Sequence, residues 1–288
     1  MESNLLKTVV LPIALGIIML GLGLSLTTED FKRVLLYPKS IFIGLFCQMI
    51  ILPIVCFGIA IGMGLSPEFS VGLMLLSASP GGATANLFSH LSKGDVALNI
   101  SLTAVNSLLS LFTLPLIVNF SIDYFLRSGQ VIPIQFAKVI EVFAIVLIPV
   151  TLGMFIKSKN PLLSEKLDKP VKMISAIFLV IVILAAILAE KDKIVSYFQE
   201  VGLSALIFNV SSMLVGYFVP LMLKVPKKQA IAIGMEIGIH NGTLAIFIAI
   251  SVIGSQIISI PAAVYSIIMF FTAAIFGFLV SRNQVQTT

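Results

Sequence analysis

Ten consecutive residues, Gly234 to Thr243 (GMEIGIHNGT), place a carboxylate, an imidazole, a carboxamide and three glycines inside a segment otherwise apolar enough to span a membrane. Glu236 is the residue to explain. A charge near a bilayer centre costs roughly 2.5 to 3.5 kcal/mol on insertion scales, so an intramembrane acid is kept for a task such as ion binding, or for pairing with another helix. The glycines allow the helix to unwind. A broken membrane helix is tolerated where its freed backbone groups line a cavity or meet protein.

Ser79, Pro80, Gly81 and Gly82 interrupt a second apolar run, which starts near Phe69 and resumes through Ala83 to Leu91. Each half of the chain therefore holds one interrupted helix, the pattern that points to the binding site of a secondary transporter. A simple kink at Pro80 is the plainer alternative. Asn99, Thr103 and Asn106, at i, i+4 and i+7, share one helical face. Interhelical hydrogen bonding accounts for such residues at about 0.6 to 2 kcal/mol each, and for Asn106 it serves equally well. Asn99 and Thr103, with Asn86 and Glu236, can instead complete an oxygen cage for a hard cation. One carboxylate among neutral oxygens suits a monovalent ion better than calcium. Gln48 and Asn209 are lone carboxamides similarly placed in two apolar helices, a hint of an inverted repeat. Glu141, a further acid in an apolar segment, is expected to pair structurally, and His90 to be interfacial.

Composition sets the frame. With 288 residues, 58% hydrophobic and 11% charged, and a mean hydropathy of +1.12, the chain is a polytopic membrane protein, since soluble domains carry about a quarter charged residues. Tryptophan is absent, so interfacial anchoring is expected from the five tyrosines and from Lys and Arg. Cys47 and Cys56, on one helix and about 14 Å apart in rise, cannot bridge each other. The N-terminal apolar run has no small-residue cleavage site and reads as a retained helix.

Runs of about 20 apolar residues give nine candidate helices: 8–27, 41–63, 69–91 (broken), 96–119, 135–157, 170–190, 202–223, 229–253 (broken) and 259–281. Of the 18 basic residues, thirteen fall on one side of this arrangement. Lys7, Arg127, Lys138, Lys191 and Lys193 fall on the other. The positive-inside rule then sets the N-terminus outside and the C-terminus in the cytoplasm, in a cell inner membrane. The longest connection, Lys157 to Lys169, reads as a basic loop. The net charge of +5 follows this topology and does not require nucleic acid. No GxxxxGK[ST] motif is present, so ATP is not expected as the energy source.

In MLGLGLSLTTEDFKRVLLYPK (Met19 to Lys39), FCQMIILP (Phe46 to Pro53), SPGGATANLFSHLSKGDVALNISLT (Ser79 to Thr103) and MEIGIHNGTLA (Met235 to Ala245), the chain resembles the bile acid:sodium symporter family. The resemblance implies an all-α inverted repeat of nine transmembrane helices. It implies a panel of 8–27, 135–157 and 170–190 beside a core of 41–63, 69–91, 96–119, 202–223, 229–253 and 259–281, in which two broken helices cross. Bacterial relatives often have ten helices, so the first would be missing here. Carried over by position, one sodium site uses Asn86, Asn99, Thr103 and Glu236, with only the backbone carbonyl of Ala85 where relatives have serine. A second uses Gln48, Glu236, His240 and the carbonyls of Ile237 and Ile239. His240 stands where the family usually has glutamine, and imidazole nitrogen is a poorer ligand for a hard alkali cation. Met269 and Phe270 replace polar residues and are expected to make the substrate cavity more apolar.

The implied function is sodium-coupled symport, with one or two Na+, of an organic anion that is bile-acid-like or a small metabolic carboxylate, by alternating access in the lipid bilayer. A proton-coupled or efflux carrier on the same fold is the alternative. A channel would need a filter motif or charged ring, and an intramembrane enzyme a nucleophile with a base; neither pattern is visible. Three expectations follow for the site. Glu236 serves both ion positions. His240 makes the second pH-sensitive, between pH 7.5 and roughly 6 for an ordinary imidazole. The anion sits where the second half-helices begin, near Ala83, Thr84, Asn241, Gly242 and Thr243, because half-helix N-termini bind anions without Lys or Arg.

Overall fold

The computed structural model describes residues 9–126, 136–189 and 194–282, and all their regular elements are helical. Six of these helices are long and apolar enough to cross a bilayer. A further candidate is the pair Leu11–Ser25 (α1) and Thr28–Leu35, bent by 72°; the latter begins with α2 (Thr28–Lys32). The bend is held by Thr27 and Asp30, whose side chains form a capping box, and by an Asp30–Arg33 ion pair of 2.6 Å. Reciprocal bonds of this kind start a helix abruptly in a new direction.

α3 (Pro38–Gly62) contains a π-helical turn at Cys47–Ile51. The first broken element follows as α4 (Pro67–Ala78) and α5 (Ala83–Leu91), halves of 12 and 9 residues. Then come α6 (Val96–Leu126), α7 (Phe136–Lys159), α8 (Pro161–Ala189) and α9 (Ile194–Met222). The second broken element is α10 (Lys227–Gly238) and α11 (Gly242–Phe247), the latter prolonged by a π-helical turn at Ile248–Ile253. α12 (Ile260–Arg282) completes the described chain.

Two bodies of packing surround the breaks. α1 lies against α7 and α8, and α7 against α8. The α1–α7 crossing is close because glycines line it: a Cβ on Gly23 would stand 2.2 Å from the Val150 carbonyl oxygen, and one on Gly153 2.6 Å from that of Leu20. Small residues let membrane helices approach in this way, where no hydrophobic effect drives them together. On the other side α4 packs on α6, α9 on α10 and α12, and α10 on α5 and α6. Gly216 of α9 and Gly234 of α10 face each other, a Cβ on the first falling 2.8 Å from the Cα of the second.

Two sequence expectations change and one holds. The stretch Lys157 to Lys169 is not a loop: α7 runs through Lys159 and α8 starts at Pro161. Asn160 caps α8, its Oδ1 accepting from Leu163 N at 3.0 Å, and proline suits the first helical position, where no N–H is needed. Tyr265 is not an interfacial anchor, because it is wholly buried with its hydroxyl donating to the Gly238 carbonyl at 2.9 Å. Cys47 and Cys56 are free and buried, as their spacing requires.

The basic helix ends are tied to one another. The Asp95 N–H donates to the Lys228 carbonyl, Ser40 Oγ to Gln229 Oε1, and Lys157 Nζ to the Ser25 carbonyl. Lys7, Arg127, Lys191, Lys193 and the Lys138 side chain lie outside the described residues. His90 is exposed at the end of α5, and Glu141 is exposed on α7.

Candidate functional site

The two breaks meet. With the helix interrupted after Gly238, the Asn241 N–H no longer serves the Ile237 carbonyl; it donates to the Pro80 carbonyl across the gap, at 2.8 Å. The carbonyls freed where the first half-helices end are satisfied by side chains, as burial in a membrane requires. At the first break Gln48 Nε2 donates to the Ser77 carbonyl at 3.0 Å and, at 3.3 Å, to that of Ser79. At the second, Asn209 Nδ2 donates to the Gly238 carbonyl at 2.8 Å, beside Tyr265. The two lone carboxamides thus do the same work at opposite breaks. Gln48 reaches its carbonyls from the π-helical turn of α3, a distortion that often accompanies functional sites.

Glu236 is fully buried between α10 and Gly81. A Cβ on Gly81 would stand 2.6 Å from both the carboxylate carbon and Oε1, so only glycine leaves the acid its place. Around it oxygens gather. The Thr103 hydroxyl lies 2.5 Å from Glu236 Oε2, 3.0 Å from the Asn99 carbonyl and 3.5 Å from Asn86 Oδ1. It has one proton to give to three acceptors. Asn99 spends its amide on the Ala232 carbonyl at 2.6 Å, which leaves its Oδ1 buried and unpartnered, as is Glu236 Oε1. The Asn106 amide and the Gly81 N–H are further donors facing the carboxylate, and the oxygens left without partners form a set that a hard cation fits. Ala85 is buried in the first turn of α5 and offers only backbone. Asn106 is buried with its amide nitrogen unpartnered.

A second group of orphaned atoms lies beside Ser79. His240 Nδ1 stands 2.9 Å from the Ser79 carbonyl, which can only accept, so Nδ1 carries the proton and Nε2 presents a lone pair. That Nε2 and Gln48 Oε1 are both buried without partners. The imidazole is held flat against Phe208, with ring centroids 5.6 Å apart, and against Tyr265 at 5.4 Å. Ile237 and Ile239 are buried at the end of α10, where Ile239 is already extended.

Between the two bodies opens a cleft. Pro80 and Asn241, from the two breaks, and Ser107 and Ser110 of α6 supply its polar lining. Met19 of α1 and Val142, Phe143 and Val146 of α7 form one wall; Leu111 and Leu114 of α6 face them with Leu244 of α11. Asn241 caps α11 through Oδ1, which accepts from Leu244 N at 3.0 Å, leaving its Nδ2 to donate elsewhere. Ala83 and Thr84 open α5, and Gly242 and the buried Thr243 open α11. Met269 and Phe270 are not part of this lining: Met269 is buried and Phe270 turns toward Phe88. The cleft is apolar because of α1, α6 and α7 rather than α12. Sequence reasoning missed Ser107, Ser110 and the Phe208–Tyr265 clamp, whose residue types carry no signal in an apolar helix.

Residues 12–197 match the model of the Sodium Bile acid symporter family, well over half the chain and including Gln48, the first break, Asn86, Asn99 and Thr103. The chain belongs to this family. Its members that resemble it are transport proteins, not enzymes. The uncharacterized sodium-dependent transporter YocS of Bacillus subtilis is 28% identical over 256 residues, covering 88% of this chain and 78% of that protein. The probable sodium/metabolite cotransporter BASS2, chloroplastic, of Oryza sativa subsp. japonica is 26% identical over 92% of this chain, which spans only 62% of the plant protein. The ileal sodium/bile acid cotransporter of Oryctolagus cuniculus is 25% identical, covering 84% of this chain and 69% of that protein. As a symporter-family member, this chain is a multi-pass membrane protein.

Proposed function

We propose that this symporter-family chain couples inward sodium movement to uptake of an organic anion. The observation that carries the reading is the surplus of buried acceptors where the breaks meet. Glu236 Oε1, Asn99 Oδ1 and Gln48 Oε1 have no partner, and leaving such groups unmade costs about 1 to 3 kcal/mol each, more for a charge. Sodium, arriving as substrate, would satisfy them. The first position uses Asn86, Asn99, Thr103 and Glu236 with the Ala85 carbonyl; the second uses Gln48, His240, Glu236 and the carbonyls of Ile237 and Ile239. The anion lies in the cleft with its carboxylate at Asn241 and the first turns of α5 and α11.

In this reading nine helices cross the membrane as an inverted repeat. α1, α7 and α8 form the panel and the remaining helices the core. The close α1–α7 packing and the separate packing of α9, α10 and α12 support that division. Rocking of one body against the other would expose the cleft to each side in turn. The N-terminus lies outside and the C-terminus in the cytoplasm of an inner membrane. Proteoliposomes loaded without sodium and offered taurocholate or a set of small monocarboxylates test the proposal: an inward sodium gradient should accelerate uptake. Uptake driven by a proton gradient and indifferent to sodium would replace it with the proton-coupled alternative.

A further inference from the structure

α6 and α10 are laced together by three contacts in one register. The Asp95 N–H donates to the Lys228 carbonyl at 2.9 Å, Asn99 Nδ2 donates to the Ala232 carbonyl at 2.6 Å, and the Thr103 hydroxyl lies 2.5 Å from Glu236 Oε2. Each step is four residues on both helices, about 6 Å of rise. The ladder therefore runs from the buried acid to the end of the core where Asp95 and Lys228 stand. It leads away from the cleft, which α6 lines only beyond Thr103, with Ser107, Ser110, Leu111, Leu114 and Pro115.

Two rungs carry an oxygen that the ladder does not use, because Glu236 Oε1 and Asn99 Oδ1 are buried without partners. A third orphan joins them from α5. Ser89 is wholly buried and its Oγ has no partner. Elsewhere Ser77, Ser101, Ser110 and Ser121 return their hydroxyls to a carbonyl three or four residues back, the ordinary way a helix satisfies them. Ser89 stands beside the middle rung instead: a Cβ on Gly94 would lie 2.7 Å from Ser89 Oγ and 3.2 Å from the Ala232 nitrogen. At the outer end Asp95 is half-buried and forms no ion pair among the described residues. A carboxylate thus stands at each end of a file of neutral oxygens. Hard cations select such oxygens, and intermediate ligands that bind weakly let an ion pass rather than stay.

We propose that sodium leaves the Glu236 position along this α6–α10 seam, with Asn99 Oδ1 and Ser89 Oγ as its ligands on the way and Asp95 at the mouth. The cleft serves entry and the seam serves release. In the topology proposed above, the mouth faces the cytoplasm. The inference rests on the symporter reading.

The test uses the full chain in sealed membrane vesicles of either orientation, with Ser89→Cys and the membrane-impermeant cationic thiol reagent MTSET. The native protein is the blank, since Cys47 and Cys56 are buried. In sodium-free potassium medium Ser89→Cys should be modified from the Asp95 face and not from the opposite face. Saturating sodium should slow the reaction about 5-fold or more, because a cation already in the file repels a second. Modification from neither face, from the opposite face, or at a rate that sodium leaves unchanged overturns the proposal. A second pair of variants reads release itself, as uptake of radiolabelled sodium into proteoliposomes with taurocholate or a small monocarboxylate outside. Ser89→Ala should lower the maximal rate roughly 5- to 10-fold, the effect of one lost contact on a barrier, while the half-saturating sodium concentration changes less than about twofold. Ser89→Thr, which keeps the hydroxyl, should restore the rate. An alanine variant as fast as the native protein, or one that loses sodium affinity in step with rate, overturns the seam. Failure of the symporter reading shows separately, as a native protein that sodium does not stabilise against heat.

Discussion

The two breaks are alike in construction and unlike in chemistry. Each interrupts a buried half-helix, and each has its freed carbonyls capped by a carboxamide, Gln48 at one and Asn209 at the other. The first spends four residues, Ser79 to Gly82, and contributes backbone: the Ser79 and Pro80 carbonyls and the bare Cα of Gly81. The second contributes the charge and the imidazole, Glu236 and His240. Their surroundings differ too. α11 is buried along its length, whereas α5 exposes Leu87 and Leu91. The comparison teaches that neither break is a site alone. Glu236 leans on Gly81 and His240 on Ser79, so a cation there would hold the two halves of the core together.

The largest effect should come from removing the charge that only one break supplies. Glu236→Gln keeps the shape but takes away the compensation for the cation. Sodium-driven uptake should fall to background in proteoliposomes while the protein still inserts and purifies. Transport with unchanged sodium dependence would refute the assignment. Next is the cradle that only the other break supplies. Gly81→Ala places a methyl 2.6 Å from the carboxylate, and overpacking of this kind costs about 1 to 3 kcal/mol. Melting temperature and sodium affinity should both drop, the latter roughly 10-fold or more if the displaced carboxylate loses about 1.4 kcal/mol of binding. Gly82→Ala is the control. A Cβ at Gly82 meets nothing within 4 Å and its backbone is extended, so equal damage at both positions would refute the cradle.

Much of this was legible in the sequence. Glu236, His240 and Asn99 stand out because polar atoms in apolar runs are expensive, and glycine with proline marks the breaks. Gln48 and Asn209 were readable as a pair, though their shared capping role was not, since it depends on which carbonyls the breaks set free. Three things left no trace. The π-helical turn that carries Gln48 has no composition of its own, Tyr265 looks like any interfacial tyrosine, and Ser107 looks like Ser101 and Ser110. Packing decides those. The helical connection at Asn160 and Pro161 could have been found from its capping pair, but the charges of 157–169 suggested a loop.

Asn241 is where the breaks part company as caps. Gly82 begins α5 without a side chain, while Asn241 begins α11 with its oxygen already committed to Leu244. Its amide nitrogen is the donor to which the proposed site assigns the anion. Asn241→Leu should therefore weaken a carboxylate ligand by about 10-fold, on the order of one charge-assisted hydrogen bond, and weaken sodium binding without acid much less. Sodium and acid titrations on the same preparation separate the two. Equal losses would move the anion away from α11.

The smallest effect concerns His240. Its Nδ1 proton is committed to the Ser79 carbonyl, so any further proton must go to Nε2, the lone pair beside Gln48 Oε1. That proton and a sodium ion would compete for one place. A proton held there would repel the cation. His240→Gln can keep the donor to Ser79 and put an amide oxygen where Nε2 was. A hard alkali ion prefers that oxygen, so the variant should bind sodium about 3- to 10-fold more tightly, the equivalent of one modest contact. If the variant binds no better, His240 serves to staple the second break to the first, through the bond to Ser79 and the stack on Phe208.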